Sequence, residues 1–301
     1  MKRIILSLLA FAALAGCSEN EREGAPSGDE VPITLRAGLP AAAIASDSRA
    51  VVETGTAFTA GVAGWETSGV PAYDRAAEWY TTADITASTT AQPVSLAASQ
   101  VYDANDRIKT HMKAWYPAGQ PAEGKVTFAN PDGTVDALLA EPISGSKNDN
   151  AGKVLRFAHK TTQLKFAVVA DASLTGGTTI EKISVLDAEL PAGFDLAADA
   201  VTYAAAATLD VPGIPADKVI STTAAVVGEP VMIRPIAGNA VALRIETSAA
   251  TFDRVTATID DDTDFVEGKA YTITLTFKQQ SLNLTATVAE WTTGSGTAEV
   301  E

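Results

Sequence analysis

Apolar and polar residues alternate along short runs of this chain, a pattern typical of β-strands with one buried face. The clearest runs cover residues 270–277 and 282–288, where the larger apolar side chains share one face and threonine dominates the other. Threonine suits a wet strand face because its β-branch fits the pleat. No window has sustained helical periodicity, so the sequence predicts an all-β protein made of β-sandwiches. Comparable runs, separated by Gly, Pro, Asn and Asp, cover residues 111–116, 126–128, 164–169, 180–186, 231–236, 240–245 and 255–259.

The first predicted strand covers residues 31–36. Val31, Ile33 and Leu35 share one face of it and are predicted to point into a core. Pro32 lacks an N–H donor, so we expect this strand at a sheet edge or Pro32 at a strand start. Residues 18–30 before the strand are rich in acids and turn formers and are predicted to be a flexible tether.

Turn-forming residues dominate residues 144–152, which are the strongest interior break in the alternating pattern. We therefore place a domain boundary there and predict two tandem β-sandwich domains, residues 31–150 and residues 151–301. A chain of 301 residues is long enough for two domains of ordinary size.

The N-terminus has the pattern of a secretory signal peptide, with Lys2 and Arg3 followed by an apolar run at residues 4–14. This run is shorter than the roughly 20 residues that a membrane-spanning helix requires. Leu14-Ala15-Gly16-Cys17 has the form of a lipobox, so we predict a signal peptide over residues 1–17 and acylation of Cys17. The alternative is an ordinary signal peptide with a buried cysteine that has no special role.

Composition narrows the classes of function. The formal net charge of −15 argues against nucleic acid as a partner and against electrostatic binding to an anionic membrane. Hydrophobic residues make up 46% of the chain, which is enough to form real cores. Because Cys17 is the only cysteine, an internal disulfide cannot form, and stability must come from packing and sheet hydrogen bonds.

The chemical motifs are weak, and we predict no enzyme, no cofactor and no metal site. The only histidines, His111 and His159, lie in strand-like runs, and His159 is expected to be packed or hydrogen-bonded at a turn. Residues 119–126 imitate a phosphate loop, but Val126 stands where Ser or Thr would bind magnesium and a strand follows. Residues 260–264 resemble the start of a calcium loop whose later glycine and glutamate are missing. A turn with solvated acids is the preferred interpretation there, with weak calcium binding as the alternative.

Several short motifs follow one another along the chain. They are the lipobox, Ser48-Arg49-Ala50, Ala114-Trp115-Tyr116-Pro117, Phe157-Ala158-His159-Lys160 with Leu164-Lys165-Phe166, and Gly268-Lys269 with Tyr271 and Trp291. Each motif is degenerate alone, but their order and spacing extend over essentially the whole chain. Together they resemble the fimbrillin-like lipoproteins, the subunits of pili built from lipidated precursors on certain Gram-negative cells. The resemblance implies two β-sandwich domains of transthyretin-like topology, an outer-membrane and fimbrial location, and other pilus subunits as partners.

The resemblance also implies a mechanism of assembly. An arginine-specific protease cuts the precursor at the cell surface, the first strand is released, and a strand of another subunit fills the groove. Arg49-Ala50 matches the cleavage position, and Val31, Ile33 and Leu35 would belong to the displaced strand. Arg22 and Arg36 are competing sites, and an ordinary surface arginine is the alternative for Arg49.

Two questions stay open at the level of sequence. The donor strand is expected among the closing segments from Leu282 onward, although residues 297–301 have little apolar reach. The main alternative function is a non-polymerising surface lipoprotein that binds glycans or host ligands through exposed aromatic residues. Trp79-Tyr80 is the candidate platform for such binding, whereas Trp115 and Trp291 are predicted to be packed.

Overall fold

The computed structural model describes residues 30–39, 52, 54–174, 176–259, 264–278 and 281–290, the last of these as backbone only. Within these ranges the chain consists of strands and connections without a helix, which confirms the all-β prediction. Of the residues so described, none therefore forms a helix that could span a membrane. The predicted signal peptide lies outside the described residues, as do Cys17, Arg22, Arg49, Ala50, Trp291 and residues 260–263.

The described residues form nineteen strands. They are β1 (Leu35–Gly38), β2 (Ala57–Thr67), β3 (Trp79–Thr86), β4 (Gln92–Leu96), β5 (Lys109–Tyr116), β6 (Lys125–Thr127), β7 (Leu138–Ala140), β8 (Ile143–Gly145), β9 (Val154–His159), β10 (Thr162–Ala170), β11 (Ile180–Ala188), β12 (Pro191–Asp195), β13 (Ala200–Tyr203), β14 (Ala207–Asp210), β15 (Ala225–Ile233), β16 (Ala240–Thr247), β17 (Thr251–Thr258), β18 (Lys269–Lys278) and β19 (Ser281–Glu290).

The N-terminal sheet closes on itself. Its strands follow the order β2-β3-β4-β1-β9-β7-β5-β8, and β2 also pairs with β5. Every strand of this sheet except β8 therefore belongs to a closed ring of hydrogen-bonded neighbours. The apolar faces of these strands point into a common core that includes Ile33, Leu35, Phe58, Val62, Ile85, Met112, Leu138, Leu155 and Phe157.

The first strand differs from its prediction in position. It begins at Leu35, not at Val31, and it lies between two partners instead of at an edge. Pro32 precedes the strand and forms an isolated bridge with Val101. Pro32 thus lies ahead of the strand, at neither a sheet edge nor the first strand position, so the N–H donor that proline lacks is not missing from the β1 ladder.

The C-terminal part is built from two four-stranded sheets, ordered β15-β10-β18-β19 and β14-β11-β16-β17. One apolar core, which draws residues from both sheets, lies between them. The predicted closing hairpin is confirmed, with β18 and β19 antiparallel from Lys269↔Glu290 to Lys278↔Ser281. The central pair β10 and β18 is parallel, a long-range contact that local alternation does not predict.

A small third sheet connects the two parts of the chain. Its order is β13-β12-β6, so a hairpin from the second half pairs with a strand of the first half. A third core forms beneath this sheet, where Phe128 and Phe194 make an edge-to-face contact with ring centroids 5.1 Å apart. Trp65 and Trp115 are buried in the same core.

The predicted domain boundary is misplaced. Residues 144–152 include the end of β8 and a turn in which Ser146 and Asp149 form a bridge. Since β9 follows this turn and pairs with both β1 and β7, the N-terminal sheet extends to His159. The prediction relied on local turn composition, whereas the pairing of β9 depends on residues more than a hundred positions away.

Candidate assembly site around the first strand

The strand β1 is held by hydrogen bonds on both sides. It runs antiparallel to β4, with Leu35 opposite Val94, and parallel to β9, with Arg36 opposite Val154. The Arg36 N–H donates to the carbonyl of Lys153 at 2.9 Å, and its guanidinium donates to the carbonyl of Ala91. Removal of β1 would therefore leave two unpaired strand edges facing each other.

The inward face of the same segment is apolar and buried. Ile33, Leu35 and Leu39 are 6%, 3% and 3% exposed, and Ala37 is fully buried between them. Val31 is half-buried and packs at the margin of the same core. Ile33 and Leu35 therefore face the core, as the alternation predicts.

Backbone contacts extend the binding of this segment beyond the strand itself. Before β1, the Ile33 N–H donates to Gln100 O at 2.8 Å, and the Tyr102 N–H donates to Val31 O at 3.0 Å. After β1, the Leu39 N–H donates to Ser88 O at 2.9 Å. The segment from Val31 to Leu39 thus behaves as one inserted element held along its whole length.

Asp136 and His159 form a buried polar pair beside Val52. Val52 is 2% exposed, and its N–H donates to Oδ2 of Asp136 at 3.3 Å. The same oxygen is 2.8 Å from Nδ1 of His159. His159 is thus packed and hydrogen-bonded, as predicted, although its partner is a buried carboxylate rather than a turn. Burial, and to a smaller degree the charge of Asp136, raises the pKa of Tyr116.

The other histidine has a different environment. His111 lies on β5 opposite Ser144 of β8. Burial, together with the nearby charge of Lys109, lowers the pKa of His111. Within the described residues, no group of three or more His, Cys, Asp and Glu side chains is arranged to hold a metal ion.

Sequence reasoning missed a second buried charge, Lys113 on β5. Its side chain is fully buried and contacts the carbonyl of Leu196 and the carboxylate of Asp199. Its Nζ atom also lies 4.1 Å from the ring centroid of Tyr73. These contacts tie the β12–β13 connection to the N-terminal sheet. The sequence signal that could have revealed this buried charge is a lysine at an inward-facing position of the run at residues 111–116.

The proposed aromatic platform is not exposed. Trp79 and Tyr80 are half-buried, and Trp79 lies so close to Gly64 that a Cβ there would be 2.2 Å from its ring. Tyr80 stacks on the buried Trp115, with ring centroids 6.0 Å apart. The large hydrophobic side chains that are exposed in the described ranges are Val70, Val219 and Val226, so none of them is aromatic.

The phosphate-loop imitation is a tight turn. Ala122 and Lys125 bridge across Glu123 and Gly124, both of which have positive φ. A Cβ at Gly124 would lie 2.2 Å from the carbonyl oxygen of Tyr73, so the close approach of two backbones requires glycine here. The turn leads into β6 and not into a helix, as predicted.

Two solved structures share the fold of this chain. A candidate cell adhesion protein from Bacteroides uniformis is 19% identical, with a TM-score of 0.59 over 88% of this chain and 100% of its own. A second candidate cell adhesion protein, from Bacteroides ovatus, is 16% identical, with a TM-score of 0.56 over 88% of this chain and 99% of its own. At these identities the likeness establishes the fold alone. No curated protein matches the chain.

The family model described as Fimbrillin-like matches residues 48–291, and the chain belongs to this family. The resemblance found in the sequence is therefore confirmed. The family consists of structural fimbrial and adhesion proteins, not of enzymes, which confirms the prediction of a non-enzymatic role. Membership indicates a place in a cell-surface fimbrium and association with other fimbrial subunits.

Proposed function

We propose that the chain is a structural and adhesive pilus subunit that polymerises by strand exchange after its first strand is removed. The observation that carries this proposal is the insertion of β1 between β4 and β9, with its apolar side chains in the core. The β1 groove, meaning the space between β4 and β9 that β1 fills, has the two features that an added strand needs. Its edges supply backbone hydrogen bonds, and its floor accepts alternate apolar side chains.

The magnitude of the buried surface supports a role for β1 beyond packing. Full burial of Ile33, Leu35 and Leu39 contributes about 4.5–9 kcal/mol, at roughly 1.5–3 kcal/mol for each side chain. A typical domain has a net stability of ~5–15 kcal/mol. A replacement strand would therefore add a large part of the stability that a subunit loses with β1.

Cleavage after Arg49 is the processing step that fits best. Arg36 lies within β1, where backbone and side chain are both hydrogen-bonded, so a protease could not reach it without opening the sheet. A cut after Arg22 would leave β1 attached to the body of the subunit. A cut between Arg49 and Ala50 separates β1 from Val52, which begins the remaining N-terminal core.

Export and anchoring complete the proposal. Cys17 would be acylated and hold the precursor at the outer membrane. The lipid would leave with the excised segment, which ends at Arg49 and includes residues 31–39. The separate cores on either side of His159 support two tandem β-sandwich domains, for which we propose the transthyretin-like topology of the family.

The donor strand is proposed to come from the C-terminal end of another subunit. Residues Ser281–Glu290 form β19 and pair with β18 throughout, so their donation would break an existing hairpin. Residues after 290 are therefore the better candidate, with Val300 as the sizeable apolar residue of the final run.

The test uses the precursor without its signal peptide and without Cys17. Treatment with an arginine-specific protease should give heat-sensitive multimers on an unheated denaturing gel, because exchanged strands survive detergent but not boiling. Arg49→Gln should abolish both the cut and the multimers, whereas Arg22→Gln is the matched control and should leave them unchanged. A single trimmed monomer would contradict polymerisation and favour a surface lipoprotein that acts alone.

A further inference from the structure

The buried carboxylate of Asp136 is incompletely satisfied. Asp136 is fully buried, and its Oδ2 atom contacts both His159 Nδ1 and the N–H of Val52. Its Oδ1 atom is also buried and has no hydrogen-bond partner among the described residues. Burying a carboxylate is costly unless its charge and its lone pairs are compensated. The site therefore suits one more donor, preferably a cation.

Val52 connects this carboxylate to the proposed processing site. Its amide is 3.3 Å from Asp136 Oδ2, and its side chain is fixed in the N-terminal core. Ala50 is two residues earlier in the chain, and two residues extend at most about 7 Å. A group on the backbone nitrogen of Ala50 is thus within reach of the same carboxylate.

A cut after Arg49 supplies the missing group. Hydrolysis of the Arg49–Ala50 peptide bond adds water across it and gives a carboxylate on Arg49 and an α-ammonium on Ala50. We infer that Asp136 is the receptor for this new N-terminal ammonium, which donates to Oδ1 while Val52 continues to donate to Oδ2. The inference rests on the proposed cleavage at Arg49 and extends it to the fate of the new terminus.

This ion pair would form only after cleavage, and only when the cut is made after Arg49. In the precursor the nitrogen of Ala50 is a neutral amide with a single N–H donor. After the cut it is an ammonium with three N–H donors and a positive charge. Cuts after Arg22 or Arg36 would produce ammonium groups that are not adjacent to Val52. The pair would also hold the new terminus beside β7, outside the β1 groove, so that the terminus does not compete with an incoming strand.

The test measures the reactivity of the new amine in the full precursor lacking the signal peptide and Cys17. Residues 45–49 are replaced by the recognition sequence of a site-specific protease that leaves Ala50 first, so the result does not depend on the native site. Acylation of the α-amine is followed by mass spectrometry at neutral pH. We expect it to be at least tenfold slower than in Asp136→Asn, because a paired ammonium is a poor nucleophile. Asp132→Asn, an exposed carboxylate on the same loop, should leave the slow rate unchanged.

A second variant keeps the test decisive if Asp136→Asn does not fold. Insertion of two glycines before Ala50 displaces the ammonium from Val52 and should also restore fast acylation. Equal rates in the unmodified and displaced termini would overturn the inference. Failure of an arginine-specific protease to cut at Arg49, or absence of multimers, contradicts the proposed function instead and is observed in a separate experiment.

Discussion

Lys113 shows how single residues in this protein link segments that are far apart in sequence. Its ammonium is fully buried, whereas the side chain of its partner Asp199 is 49% exposed. The two members of the pair therefore differ in what they lose when the other is removed. Asp199 can turn to water, but Lys113 cannot.

This asymmetry gives a prediction for unfolding by urea. Asp199→Ala should lower the free energy of unfolding by about 1–3 kcal/mol, because it leaves a buried cation with a carbonyl and a ring as its remaining partners. Lys113→Met should cost less, since methionine fills the same apolar space and Asp199 becomes solvated. A larger loss for Lys113→Met than for Asp199→Ala would contradict this account.

Because of Tyr102, the stability of the N-terminal core should fall at alkaline pH. Burial, with a contribution from the charge of Asp149, raises the pKa of Tyr102 from 10.0 to about 12. The folded state therefore favours the neutral phenol, so the stability that this provides is complete below pH 10 and is lost as the pH rises towards 12. Tyr102→Phe should show a smaller fall in Tm between these pH values. If Tm falls equally with pH in the native protein and in Tyr102→Phe, Tyr102 is not the source of the pH dependence.

At the scale of the element, β1 should contribute to the stability of the precursor but not to that of the processed subunit. Leu35→Ala should destabilise the precursor by about 2–5 kcal/mol, because it opens a cavity in the core beside β4 and β9. Thr34→Ala is the matched control, since the neighbouring Thr34 is exposed and its loss should have little effect. Thermal unfolding before and after protease treatment measures both. A processed subunit that still responds to Leu35→Ala would show that β1 had not left.

The element scale also shows how far the sequence reaches. Alternation predicted the burial of Ile33 and Leu35 and both strands of the closing hairpin, because period-two patterning and short turns are local properties. It could not place β1 beside β9 or set the domain boundary, because parallel pairing joins distant segments and leaves no local signal. The contact of Asp136 with Val52 and His159 was invisible for the same reason.

The whole molecule should be convertible between a locked and an assembling form. Leu35 and Val94 are opposite residues of β1 and β4, at a separation that suits a disulfide. Leu35→Cys with Val94→Cys should therefore retain β1 after cleavage and prevent multimers under oxidising conditions. Reduction should release the strand and restore assembly.

Either single cysteine variant is the control for this lock and should assemble with or without reductant. The readout is the same unheated gel, with the retained strand detected by intact mass. Multimers from the oxidised double variant would mean that assembly does not need the β1 groove.

Under the proposed strand exchange, the closed ring of the N-terminal sheet would also affect the timing of assembly. While β1 is covalently attached, it competes for its groove at an effective concentration in the millimolar range, whatever the number of subunits nearby. A strand from another subunit is far more dilute and loses that competition. Once the link is cut, β1 becomes an ordinary dissociable ligand that diffuses away. Peptide-bond hydrolysis, which is irreversible under cellular conditions, would thus replace subunit concentration as the trigger for growth.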